Sequence, residues 1–99
     1  MSVFAQVAFF QMQPGTGQAV VEFFQSDNGL AVTRASKGCI QFDVLTDASN
    51  PDMIRIFEKW DSQADFDAYL KFRQDSGDMD FLVQDLAEPP EFIPLTLIG

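Results

Sequence analysis

The sequence predicts an α+β fold in which one antiparallel sheet is threaded in the order βαββαβ, the ferredoxin-like split βαβ arrangement. Three observations lead there. The chain has 99 residues, enough for a single domain, 1–99, around one core. Apolar residues make up 46% of it and charged residues 21%, the balance of a packed soluble domain. Stretches of strand-like and helix-like apolar spacing then alternate along it, separated by Pro, Gly and Asp-Asn clusters.

Each element has its own signal. Residues 2–12 are apolar on both alternating sets, with Gln6 and Gln11 as the polar exceptions, so this strand should be covered on both faces. Pro14-Gly15 turns the chain. Val20, Phe23, Phe24 and Ala31 give 16–36 a helical period, and Asp27-Asn28-Gly29 should kink or split that helix. Lys37-Gly38 ends it, with Gly38 suited to a C-terminal cap. Residues 39–46 alternate at period two and set Ile40, Phe42 and Val44 together. Residues 47–52 are turn formers, and 53–60 form a second strand, completing a hairpin.

Ser62-Gln63-Ala64-Asp65 is a capping-box variant opening a helix over 62–74, with Phe66, Tyr69, Leu70 and Arg73 on one stripe. A short helix follows at 79–87, stopped by Pro89-Pro90. The last strand runs from Phe92 to Ile98, with Pro94 placing it at a sheet edge. The acidic stretch from Asp75 to Asp85 reads as a solvated helix face. Helices cover one side of such a sheet. The other apolar side needs a partner, because burying aromatic and aliphatic side chains stabilises by roughly 1.5–3 kcal/mol each. A homodimer packed sheet against sheet is the expectation.

Charge and composition exclude several roles. Fifteen Asp and Glu against six Lys and Arg give a net charge of −9, which repels phosphate backbones and anionic lipids, so neither nucleic acid nor membrane is expected as a partner. No apolar run approaches the roughly 20 residues of a bilayer span. There is no histidine, the usual general base and haem or zinc ligand. Cys39 is the one cysteine, so neither an intrachain disulfide nor a thiolate cluster forms. No metal or other cofactor is expected. The first residues lack a basic segment of the secretory type, which makes a reducing cytoplasm the default location.

Four short motifs, in order, resemble the antibiotic biosynthesis monooxygenase family of small dimeric α+β barrels. They are Pro14-Gly15 after the first strand, Gly38-Cys39 at the second, Glu58-Lys59-Trp60-Asp61-Ser62 at the third strand and second main helix, and Glu88-Pro89-Pro90 before the last strand. The resemblance covers roughly residues 3 to 98. It implies a dimeric α+β barrel and, as one branch of the family does, cofactor-independent oxidation of aromatic phenols and quinols. Tyr69 stands where the haem-degrading branch has its histidine iron ligand. Ile56 stands where the phenol-oxidising branch has an asparagine.

With that resemblance, the residues sort into roles. Glu58 lies among apolar neighbours, so desolvation would raise its pKa and fit it to be a base toward a phenolic proton. Its structural alternative is an ion pair with Arg34, Arg55 or Arg73 or across a dimer, or a hydrogen bond to backbone. Tyr69 is the candidate hydrogen-bond donor to a substrate oxygen; otherwise it is a half-buried aromatic. Trp60, sharing a face with Ile54, Ile56 and Glu58, is either a cavity wall stacking on a flat ligand or a core anchor. Phe66, Arg73 and Gln6 complete the candidate substrate contacts, Arg73 toward an anionic or quinone oxygen. Cys39 reads as a small buried hydrophobe.

The expected ligand is a small aromatic or quinone-like molecule in an apolar cavity. A non-catalytic ligand-binding or purely structural dimer is the alternative. Isomerase or lyase action on a phosphorylated molecule would need Arg34, Arg55 and Arg73 to converge.

Overall fold

A computed structural model describes residues 3–99. The elements run β1 (Phe4–Gln11), α1 (Gly17–Gln25), α2 (Leu30–Arg34), β2 (Cys39–Asp47), β3 (Asn50–Trp60), α3 (Gln63–Ser76), α4 (Asp80–Gln84) and β4 (Glu91–Leu95). The four strands form one antiparallel sheet in the order β2-β3-β1-β4, with β3 and β1 at its centre. This is the ferredoxin-like α+β arrangement, and Pro94 does sit on an edge strand. Among the described residues no helix is long and apolar enough to cross a membrane.

Strand register decides which side chains face the helices. Phe4, Gln6, Ala8 and Phe10 of β1 oppose Trp60, Glu58, Ile56 and Ile54 of β3, and these eight share the helix-covered side. Trp60, Met12, Ile54 and Val20 are wholly enclosed in the core there. The opposite side carries Val7 and Phe9 against Phe57 and Arg55, flanked by Ile93 and Leu95 of β4 and Leu45 of β2. Leu45, Ile93 and Leu95 are exposed, so one sheet face is apolar and uncovered within the chain.

Several boundaries differ from the sequence expectation, each for a local reason. The 16–36 helix is two helices, parted at Asp27-Asn28-Gly29. Gly38 caps neither. It takes φ +83° in the turn into β2, where a Cβ would run into the Asp65 side chain. Ile40 does not share a face with Phe42 and Val44. A register shift between Cys39 and Gln41 turns it outward, and it is 50% exposed. The hairpin is tighter than 47–52, because Asp47 pairs with Asn50 and only two residues turn the chain.

The 79–87 helix stops at Gln84. Beyond it, Asp85 accepts from the Gln13 N–H and Ala87 donates to the Gln11 carbonyl, so this backbone pairs with the end of β1. β4 ends at Leu95, opposite Ala5, near where β1 begins.

Caps fix the helices that border the cavity described below. The Ser62 hydroxyl accepts the Asp65 N–H and donates to the Asp65 carboxylate, while Gly77, at φ +72°, closes the other end of α3. The capping box is therefore incomplete: Asp, a methylene shorter than Glu, turns to the hydroxyl instead of the Ser62 N–H. α1 is capped from a distance, its Gly17 N–H and the preceding Gly15 N–H both donating to the Asp52 carboxylate of β3.

Candidate functional site

β3 is a central strand, and its even-numbered side chains from Ile54 to Trp60 point at the helices. That alternation puts Glu58 in the middle of the covered face, opposite Gln6 on β1 and Phe42 on β2. Glu58 is only 3% exposed. Its Oε1 accepts the Trp60 indole N–H at 2.8 Å, and its Oε2 accepts a Gln6 amide N–H at 3.1 Å. Among the described residues no Lys or Arg lies within ion-pairing distance of it; Arg34, Arg55 and Arg73 pair instead with Asp43, Asp47 and Asp78.

Burial pushes the Glu58 carboxyl above the usual glutamate range, and the Trp60 and Gln6 hydrogen bonds only partly offset that push. A carboxylate offers about four acceptor positions. Two are used, leaving each oxygen able to accept once more.

Glu58 opens onto a cavity of about 380 Å³ between the sheet and α3–α4. Phe10, Phe42 and Ile56 make the floor beside it, Phe66, Tyr69 and Leu70 the α3 wall, and Met79, Leu82 and Leu86 the far wall. Pro90 and Phe92 form the β4 rim, with Gln74 and Arg73 as the other polar contributors. The volume lies within the roughly 300–1,000 Å³ of small-molecule sites, and the lining is apolar around a few polar groups, as such sites are. Among the described residues no three His, Cys, Asp or Glu side chains gather as a metal site requires.

Tyr69 and Arg73, one turn apart on α3, belong to a second network behind the cavity wall. Arg73, 2% exposed, donates Nε–H to the Tyr69 hydroxyl at 2.9 Å. Its Nη1 serves the Asn28 carbonyl and the Asp78 carboxylate, and its Nη2 serves the Gly29 carbonyl and the Thr33 hydroxyl. All five guanidinium N–H groups are thereby used on protein acceptors. The Tyr69 and Thr33 hydroxyls are 2.7 Å apart, and Thr33 bonds the Gly29 carbonyl in turn. The chain in which Tyr69 donates to Thr33 and Thr33 to Gly29 satisfies every hydroxyl. Burial raises the Tyr69 phenol pKa, against the lowering effect of Thr33 and Arg73.

The candidate residues read from the sequence therefore divide. Glu58, Tyr69, Phe66 and Arg73 all border one cavity, whereas Gln6 and Trp60 stand behind it and touch Glu58. Trp60 is fully enclosed, its ring packed against Tyr69 (5.1 Å between centroids) and Phe66. The Tyr69 hydroxyl and the Arg73 guanidinium turn to the α2 side, so their ring and stem border the cavity while their polar ends hold protein. The three arginines do not converge. Thr33, Asp78, Leu82 and Phe92 were missed. Leu82 had a signal in the 79–87 apolar spacing, and Phe92 in the final strand; Thr33 and Asp78 had none, because Thr33 meets Arg73 from 40 residues away and Asp78 meets Asn28 from 50.

Comparison with known proteins agrees with this architecture. The family model for antibiotic biosynthesis monooxygenase matches residues 3–74. No curated protein matches the chain. Among solved structures, one described as an antibiotic biosynthesis monooxygenase superposes with TM-score 0.83 at 14% identity, covering 97% of this chain and 99% of its own. A conserved protein from Methanosarcina mazei gives 0.81 at 21% identity over 97% and 93%. A Mycobacterium tuberculosis protein gives 0.81 at 21% over 99% and 97%. At these identities the structures attest the fold alone; the family model, spanning well over half the chain, attests the kinship. The chain belongs to the antibiotic biosynthesis monooxygenase family.

Proposed function

We propose that this protein is a homodimeric, cofactor-independent monooxygenase that oxidises a small aromatic phenol or quinol. The observation that carries the reading is a single buried carboxylate, Glu58, without a cation partner, opening onto an otherwise apolar cavity. A base with a raised pKa in a dry pocket is suited to take a weakly acidic substrate proton.

In the proposed reaction Glu58 removes a proton from a ring-activated carbon or its phenolic tautomer. The electron-rich anion then reduces dioxygen, and recombination forms a carbon–oxygen bond as a hydroperoxide. Loss of water leaves the carbonyl, one oxygen atom going to product and the other to water. The four electrons that dioxygen takes up come from the two C–H bonds replaced by C=O. The protein's share is to ionise the substrate, hold the ring flat between Phe42, Phe66 and Tyr69, and exclude bulk water. The apolar outer face of the sheet pairs with that of a second copy, and a reducing cytoplasm suits the single free thiol.

Purified protein titrated with anthrone-like phenols and quinols tests this, with Trp60 fluorescence and oxygen consumption followed together. Quenching with oxygen uptake is expected, and Glu58→Gln should cut kcat by about a hundredfold or more, the range a general base contributes. Unchanged turnover in Glu58→Gln would remove the mechanism. A second reading, a non-catalytic carrier of the same ligand class, is favoured by the commitment of Arg73 and Tyr69 to protein groups, which leaves the Gln74 amide as the uncommitted side-chain donor among the described cavity residues for a substrate oxyanion. Quenching without oxygen uptake would select it.

A further inference from the structure

Gln6 interrupts an otherwise apolar stretch of β1, and it is as deeply buried as Glu58 itself. Burying an amide costs free energy unless it is hydrogen-bonded. Among the described residues Glu58 is the one group its side chain reaches, at 3.1 Å, across the central strand pair. Because that amide makes no second bond, a half-turn about its last side-chain torsion breaks only the contact to Glu58. The half-turn replaces the donating NH₂ by an accepting carbonyl. Trp60, on the other carboxylate oxygen, has no such freedom, since an indole N–H only donates.

We propose that Gln6 is a positioning residue that sets the protonation state of Glu58, its amide donating to the carboxylate in one orientation and accepting from the acid in the other. The inference rests on the reading of Glu58 as the working carboxylate and adds how its proton is held and released. With Trp60 fixed on Oε1, the proton is confined to Oε2, the oxygen shared with Gln6. Ionised Glu58 keeps both donors; protonated Glu58 keeps Trp60 and donates to Gln6. In both states each carboxyl oxygen of Glu58 keeps a partner and the Gln6 amide keeps its one bond to it, so the carboxyl gains and loses a proton without rearranging the core.

The other titratable groups facing Glu58 are few. Tyr69 comes from α3 and Cys39 from β2, while Arg73 of α3 borders the same cavity with its guanidinium turned to the α2 side; β1 contributes the neutral Gln6 and no titratable group, and α4 and β4 turn apolar side chains to the cavity. Tyr69 and Cys39 are both shifted upward by burial. Trp60 is the only tryptophan, and its N–H sits on the titrating group. Its emission therefore reports the ionisation of Glu58 directly.

The experiment is a pH titration of Trp60 fluorescence in the wild-type protein, Glu58→Gln and Gln6→Met, without substrate. The wild type shows one transition that Glu58→Gln abolishes. Gln6→Met, which fills the same space with neither donor nor acceptor, moves the midpoint up by about one pH unit, since the charge-assisted bond lost by the carboxylate is stronger than the neutral bond lost by the acid. Should Gln6→Met fail to fold, NMR of the wild type decides: the Gln6 side-chain amide and the Trp60 indole resonances titrate with one shared midpoint. An unmoved midpoint in Gln6→Met, or a Gln6 amide that ignores pH, overturns the proposal. Because no substrate is present, absence of oxygen uptake would sink the oxygenase reading without touching this result. If turnover is found, the acid limb of kcat/KM shifts with the same midpoint.

Discussion

Arg73 lies four residues after Tyr69 on α3 and donates its Nε–H to the Tyr69 hydroxyl at 2.9 Å, while its two other nitrogens reach across to the break between α1 and α2. One buried side chain thus fastens α3, the Asn28-Gly29 corner and Asp78 together. It also holds the Tyr69 ring against Trp60 and the cavity.

Removing that guanidinium should cost far more than a surface pair would. Arg73→Met leaves the Asp78 carboxylate, two backbone carbonyls and two hydroxyls short of donors. A loss of about 3–5 kcal/mol is expected, in line with breaking a buried ion pair from one side. Urea unfolding followed by Trp60 emission measures it. Arg73→Lys should recover only a minor part, because an ammonium cannot span acceptors spread around a planar fork. Wild-type stability in Arg73→Met would show the network to be incidental.

Asp78 gives the network an acid limit. Burial raises its pKa, but the hydrogen bonds from Asn28 and Arg73 and the Ser76 contact outweigh that and hold it below the usual aspartate range. A depressed folded pKa means stability that is present above the unfolded value and lost as pH falls through the folded one. The wild type should therefore weaken on acidification below the ordinary carboxylate range. Asp78→Asn should be less stable at neutral pH and show a shallower acid decline in thermal melts.

Glu58 works in the opposite direction. Its folded pKa is raised, so its contribution is full below the unfolded value and lost as pH rises through the folded one. Glu58→Gln should remove that alkaline-side loss and melt higher than the wild type at neutral pH, provided the Gln6 amide turns to accept from the new NH₂. Loss of stability in this variant, with an unchanged pH slope, would mean that the carboxylate is held chiefly by favourable contacts.

The uncovered sheet face predicts self-association. Phe57 stands at its centre between Val7 and Asp43, with Ile93 one strand further on. Sedimentation analysis should find a dimer for the wild type and a monomer for Phe57→Glu, whose charge cannot be desolvated against an apolar partner. A dimer that survives this change would have to use another surface.

Sequence spacing was sufficient for the fold class, because a strand buries every second residue and a helix every third or fourth, and both rhythms are written locally. Glu58 and Trp60 share a face for the same reason, and no other information was needed to place them together. Ser62 marked the start of α3, and Pro94 its strand's position at an edge, through local backbone chemistry.

What tertiary structure decided was register and partnership. Ile40 left the covered face because one bulge shifts the pairing by a residue, which no alternation pattern contains. α4 stopped early because the end of β1 took its backbone bonds. Above all, whether Glu58 would meet an arginine or an amide depended on which residue of β1 lay opposite it. Gln6 is 52 residues away in sequence and 3.1 Å away in space. The charge on a buried carboxyl is set by what the fold brings within a hydrogen bond of it, and that distance exists only once the strands have paired.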